Sequence, residues 1–370
     1  MSNLKTLVLS VSTLSGTIIG VGIFALPYIT LQVGFWIMFG YFLFSATVII
    51  LIHLFFGELA LKTPDLKRFP GFAKIYLGNW GEKVAGIASI LGIFGAILAY
   101  FIVGGEFLTE MLSPIFGGSN LLYTLFYFII GAGLIYFGIN AIAQVEFWGL
   151  VLFFLALILM FFKGFSQIQI QNLFPKPDFS KFFLPYGPLI FSLWGTSLIP
   201  EVEEMLGKNK KLIKKVIFIS ILIPVLVYLL FIFLVLGITG FQTTESALTG
   251  LRSFLGGGIV SLAIFCGVVT TFTSFIALGL TLRNVFLYDL KMNKNLAWAI
   301  TCFVPLILFL SGIKSFISVI SFLGGVMLGL EGILILIMYQ KIRPERKFLS
   351  FVLFLILLGG FIFELIYSIK

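Results

Sequence analysis

Apolar runs of about 20 residues recur along this chain, and each is long enough to cross a hydrocarbon layer roughly 30 Å thick as an α-helix. Lipid offers no partner to a bare peptide group, so a spanning segment must be a helix or part of a closed barrel. The runs are apolar on both faces and lack the period-two alternation of a barrel strand. Only 11% of the 370 residues are charged, against about 25% in soluble domains. The expected class is an all-α polytopic membrane protein, with the lipid bilayer as its solvent.

Eleven spans are read, over residues 6–30, 35–61, 83–112, 120–140, 141–163, 184–206, 212–240, 253–288, 295–312, 315–340 and 347–369. The first is too long for a signal peptide and has no small-residue cleavage site after it, so it is kept as a span. With this count, eighteen of the 24 Lys and Arg residues fall on the side of the N-terminus. That asymmetry predicts a plasma-membrane protein with a cytoplasmic N-terminus and an extracellular C-terminus. The net charge of +9 then belongs to loops facing anionic lipid, and no nucleic-acid partner is expected. Cys266 and Cys302 both lie in apolar runs, which argues against a disulfide framework or a thiolate metal site.

The first span contains "GTIIGVGIFALPY", residues 16–28, with three glycines in seven residues and a proline after them. The sixth, "LPYGPLIFSLWGTSLIPEVEEM", is the other interrupted span, with Pro185, Gly187, Pro188, Gly195 and Pro200. Spans one to five and six to ten form two sets of five. Because five is odd, the second set enters the membrane from the opposite side, which is the topology of an inverted repeat. A 5+5 arrangement is expected in a single transporter domain: 6–163, then 184–340, with spans one and six discontinuous and an additional helix at 347–369. Unwinding a helix in lipid frees backbone N–H and C=O groups that need a ligand, an ion or water. Half-helix N-termini favour a carboxylate and exposed carbonyls favour an ammonium or Na⁺, so an amino-acid zwitterion suits both.

At these residues the sequence resembles the amino acid-polyamine-organocation superfamily, with the fold of the bacterial leucine transporter. "GTIIGVGIFALPY" and "FSLWGTSLIPE" look most like its amino acid/auxin and aromatic amino acid (tryptophan/tyrosine) permease branch. The resemblance implies that amides around Gly20, Val21 and Gly22 hold the substrate carboxylate. It places the ammonium on the carbonyls of Ile18, Phe191 and Trp194, and the break of span six at Gly195 to Ser197. Phe191 matches the aromatic that closes over the substrate, and Trp194 lines the side-chain pocket. Thr17, Thr196 and Ser197, small residues near the breaks, leave room for a bulky solute. Tyr100, after a stripe of small residues (Ala85, Ala88, Gly92, Gly95, Ala96, Ala99) in span three, is a candidate gate; the stripe is expected to pack on the broken helices.

Span eight carries Thr270, Thr273 and Ser274 on one helical face. The sodium-coupled members of the fold imply an Na⁺ site from the Thr273 and Ser274 hydroxyls and the Gly16, Ile19 and Thr270 carbonyls. The alternative for these hydroxyls is hydrogen bonding to their own helix. Proton coupling is the competing reading, with Glu106, Glu110, Glu146 and Glu331 as intramembrane acids. Glu58 is expected to pair with Lys62, and His53, the only histidine, to be a packed or lipid-facing residue. No enzyme motif, and no cofactor apart from a coupling ion, is expected. The expected function is secondary active amino-acid transport by alternating access, an Na⁺ symport of a neutral or aromatic amino acid. A proton-coupled permease or exchanger, or an amino-acid-sensing membrane protein, are the alternatives.

Overall fold

A computed structural model describes residues 3–63, 67–138 and 142–369, and all regular structure among them is helical. The expected junction of spans four and five at 140/141, the Glu146 side chain and Lys370 lie outside the described residues. Span one is built from α1 (Asn3–Ile18) and α2 (Leu26–Val33), followed by α3 (Phe35–Lys62), the short α4 (Phe69–Leu77) and α5 (Asn79–Phe116). Next come α6 (Asn120–Phe137) and α7 (Ile142–Gly164), then a loop of three 3₁₀ turns. Span six is α8 (Tyr186–Leu193) and α9 (Ile199–Leu206), and α10 is Ile213–Thr239. The chain ends with α11 (Arg252–Leu255), α12 (Gly257–Asn284), α13 (Lys294–Leu310), α14 (Phe316–Phe322), α15 (Gly329–Ile342) and α16 (Lys347–Ile369).

Among the described residues, seven helical stretches are long and apolar enough to cross a membrane, and the bent α1/α2 pair adds an eighth. One of the seven, Tyr186–Gln242, holds α8, α9 and α10 together, and two shorter apolar helices accompany them. At 38 residues α5 is the longest helix among the described residues. Its length of about 57 Å exceeds the hydrocarbon thickness, so it crosses tilted or projects beyond it.

Apolar burial forms two blocks. One surrounds the broken helices. The other joins α5, α6, α12 and α13, where Phe101 meets Phe275 edge-on at 4.7 Å and Tyr127 stacks on Phe275 at 5.8 Å. Part of the small-residue stripe of α5 meets another element: a Cβ on Gly95 would lie 3.0 Å from Leu323 Cγ and one on Gly92 3.9 Å from Met327 Cβ, so these two glycines face span ten. Span ten is itself irregular, with a π-helical segment over Leu323–Leu328 between α14 and α15. A π-bulge widens the backbone spiral and shifts the helix face by about one residue. Here it exposes Gly324 to the backbone of α8, where a Cβ would lie 2.7 Å from Gly187 C and 2.9 Å from Phe191 N.

Neither partner in that contact can retreat as a flexible side chain would, so Gly324→Ala should lower the melting temperature of the solubilised protein by several degrees. Gly40→Ala, with nothing within 4 Å of its new methyl, should leave it unchanged.

Candidate functional site

Both breaks are built from the same local elements. In span one the last regular bond runs from Ile19 N to Ser15 O at 3.0 Å. Gly20 is then extended (φ −127°, ψ −157°), and a 3₁₀ turn over Val21–Ala25 leads into α2 with the chain bent by 52°. In span six Trp194 is extended (φ −77°, ψ 133°), and a 3₁₀ turn over Thr196–Leu198 leads from Gly195 into α9. Each helix after a break has proline in its first turn, Pro27 and Pro200. Proline removes the N–H that would have continued the ladder, and the first turn is where its absence is tolerated. The span-six break thus starts at Trp194, one residue earlier than expected.

The two breaks touch. A Cβ on Gly22 would lie 3.0 Å from Ser192 Cβ and 3.2 Å from Ser192 Cα, and one on Gly195 would lie 2.7 Å from Ile18 Cγ1. Side chains from other helices satisfy the freed peptide groups. The buried Tyr228 of α10 points its hydroxyl at Ile18 O (2.9 Å) and Ser192 O (2.8 Å). His53 of α3, also fully buried, accepts the Gly195 N–H on Nε2 at 2.9 Å. Accepting there places the imidazole proton on Nδ1, in the neutral tautomer. Thr196 donates its hydroxyl to Glu331 Oε1 of α15. His53 is therefore a working part of the break, which a lone histidine without sequence neighbours did not disclose. Tyr228 was not anticipated at all, because nothing distinguishes it from the other tyrosines of the chain.

Beside the span-one break lies a cavity of about 50 Å³, lined by Gly16, Ile19, Gly20, Val21, Phe24, Tyr100, Phe153, Thr270, Thr271 and Ser274. It has room for a few water molecules or a partly hydrated cation. An aromatic amino acid would require the rings around it to move apart. Tyr100 Oη is 3.5 Å from where a Gly20 Cβ would sit, so this hydroxyl stands next to the Gly20 backbone. Thr270 donates to Cys266 O (2.9 Å) and Gly267 O (3.1 Å), and Thr271 to Gly267 O (2.7 Å). Their protons are used on their own helix, which leaves the oxygen lone pairs for a cation.

Several expected residues lie elsewhere. Thr273 is buried, donates to Thr270 O at 3.1 Å and does not line the cavity; its neighbour Thr271 does, because the helix face turned to α1 is 270/271/274. Thr17 is exposed and bonds back to Thr13 O. Trp194 turns its ring away from the cavity, 5.4 Å from the His53 ring and against Gly332. Phe191 is half-buried on α8, outside the cavity wall, and Gly22 contacts Ser192. Among the acids, Glu58 does not bond Lys62. It bonds Arg343 Nε (3.2 Å) and Tyr339 (3.0 Å), with Lys214 at 3.6 Å, while Lys62 donates to Ile342 O. Glu110 is ion-paired with Arg252 at 3.1 Å, and Glu106 lies beside Ser246 and Glu245. Outside the spans, Asp178 accepts from both the hydroxyl and the amide of Ser180, which hold its carboxyl below the usual range. Its own amide donates to Gln32 O at 3.2 Å, so the loop before α8 is fastened to the end of α2.

A family model for tryptophan/tyrosine permeases matches residues 3–369, almost the whole chain. The chain belongs to the tryptophan/tyrosine permease family. It is accordingly a multi-pass membrane transport protein for amino acids and not an enzyme. Among its curated relatives are the tyrosine-specific transport system 1 of Haemophilus influenzae, 24% identical over 80% of this chain and 78% of the relative. The low affinity tryptophan permease of Escherichia coli is 25% identical over 80% of this chain and 77% of the relative. Among solved structures, inward-facing Mhp1 superposes with a TM-score of 0.66 at 14% identity, covering 91% of this chain and 76% of that one. MhsT in complex with L-phenylalanine does so with a TM-score of 0.57 at 14% identity, over 96% of this chain and 98% of that one. At such identities the likeness shows a shared fold.

His53→Leu would leave the buried Gly195 N–H without an acceptor, at a cost of about 1–3 kcal/mol. Chemical denaturation in detergent should show a loss of that size, and His53→Gln, which can still accept, should recover most of it.

Proposed function

We propose that this permease carries an aromatic amino acid across the plasma membrane by alternating access, with Na⁺ as the coupling ion. The observation that carries the reading is the meeting of two interrupted helices at Gly22/Ser192, beside a cavity whose walls bear peptide poles and α12 hydroxyls. The substrate carboxylate is assigned to the amides around Gly20, Val21 and Gly22, with the Tyr100 hydroxyl beside them. Its ammonium is assigned to the carbonyl edge of Ile18, Phe191 and Trp194. The relatives named for tyrosine and tryptophan support an aromatic side chain, as does the phenylalanine complex of the fold relative MhsT. Na⁺ is assigned to the cavity, on the Gly16 and Ile19 carbonyls and the oxygens of Thr270, Thr271 and Ser274, a hard, neutral donor set suited to an alkali cation.

The eleven-span count, the cytoplasmic N-terminus and the two repeats, 6–163 and 184–340, belong to the same proposal. The matching sequence of break, 3₁₀ turn and proline in spans one and six supports the repeats. The bundle of spans one, two, six and seven rocks against the rest. Proton coupling is the second reading, favoured by one contact: Glu331, an acid in the core of span ten, accepts a hydrogen bond from Thr196 at the break of span six.

Counterflow of labelled L-tryptophan and L-tyrosine in proteoliposomes, with and without an Na⁺ gradient, tests both readings. Under Na⁺ coupling, Thr270→Val with Ser274→Ala should raise the Na⁺ concentration for half-maximal uptake about tenfold. Uptake driven by a pH gradient and indifferent to Na⁺ would transfer the assignment to the proton, and absence of exchange for every amino acid would refute carriage itself.

A further inference from the structure

Tyr228 lies in α10, a helix interrupted at neither break, yet its hydroxyl bonds to a carbonyl of each. Its single proton is shared between Ile18 O at 2.9 Å and Ser192 O at 2.8 Å, a three-centre hydrogen bond. Ile18 ends α1, and Ser192 is the penultimate residue of α8. The same oxygen lies beside the Gly20 amide. The phenol is fully buried and so cannot exchange these partners for solvent. Under the function proposed above, on which this inference rests, Ile18 O belongs to the carbonyl edge that receives the substrate ammonium. Substrate and phenol therefore require the same acceptor.

We propose that the Tyr228 hydroxyl is the resting occupant of the ammonium seat, and that the ammonium of an incoming amino acid displaces it. An ammonium can make the exchange because it brings three donors and a full charge, and charge-assisted hydrogen bonds are roughly twice as strong as neutral ones. The same ligand with its carboxylate but no amino group cannot, since an ionised carboxylate only accepts and has no donor to place on Ile18 O. Displacement removes the phenol's bond to Ile18 O, one of the two by which Tyr228 ties α1 to α8. Occupancy of the seat thereby loosens that tie. Tyr228 is a positioning residue in this scheme: it withholds the carbonyl poles until a cationic nitrogen arrives.

The test compares two ligands with the same ring and carboxylate, L-tryptophan and indole-3-propionate, on the reconstituted full chain, using competition against labelled L-tryptophan. In Tyr228→Phe the carbonyls no longer have a resting partner, so only the ligand with an ammonium gains. The ratio of the indole-3-propionate to the L-tryptophan dissociation constant should rise about tenfold, as expected for relieving a ligand of displacing one or two hydrogen bonds. A structural role alone would weaken both ligands in parallel, and an unchanged or lower ratio overturns the inference. Should the variant not fold, 3-fluorotyrosine placed at position 228 keeps the hydroxyl. Its ¹⁹F resonance should move on adding L-tryptophan and stay in place with indole-3-propionate; equal shifts, or none, overturn the inference. No binding of any aromatic amino acid to the unmodified chain would refute the function itself, whereas binding with an unchanged ratio would refute only the role of Tyr228.

Discussion

A peptide group cannot be left unpaired in hydrocarbon, and the centre of this protein follows from that constraint. Two helices are interrupted deep in the chain's apolar interior, at Gly20 and at Trp194–Gly195. Each interruption exposes polar backbone that a continuous helix would have used internally. Two side chains from intact helices restore part of the balance: Tyr228 caps the carbonyl ends of both first halves, and His53 caps the Gly195 amide. Backbone at Gly16, Ile19 and Gly20 lines the small cavity. In the proposed function, that backbone supplies the binding chemistry.

The breaks were legible in the sequence because glycine and proline act locally. Gly20 and Gly22 supply a backbone that can extend and approach Ser192 closely, while Pro27 and Pro200 delete one ladder donor each. Such effects are written at the residue that produces them. The helical class was legible for a similar reason, since each apolar run declares its own length.

The partners of the breaks were not legible, because pairing across helices depends on which faces meet. His53 and Gly195 are 142 residues apart, and Tyr228 and Ile18 are 210 apart. The α12 hydroxyls illustrate the same limit on a smaller scale. Thr270, Thr273 and Ser274 share a face by spacing, but α12 is rotated so that Thr271 lines the cavity and Thr273 bonds its own helix. The stripe on α5 was likewise recognisable as a packing surface, while one of its partners was not: Gly92 and Gly95 face the irregular segment of span ten. Glu58 shows how a near neighbour in sequence can mislead, as Lys62 bonds a distant carbonyl and Arg343 takes its place.

The crossing of α8 with the π-helical turn of span ten also bears on how the two parts can move. Gly187 and Gly324 present bare backbone to each other there. Interdigitated side chains hold a joint in discrete notches, each separated from the next by a barrier of rotamer changes. At the Gly187/Gly324 crossing no such notch forms, so a small turn of α8 about that point meets no rotamer barrier there.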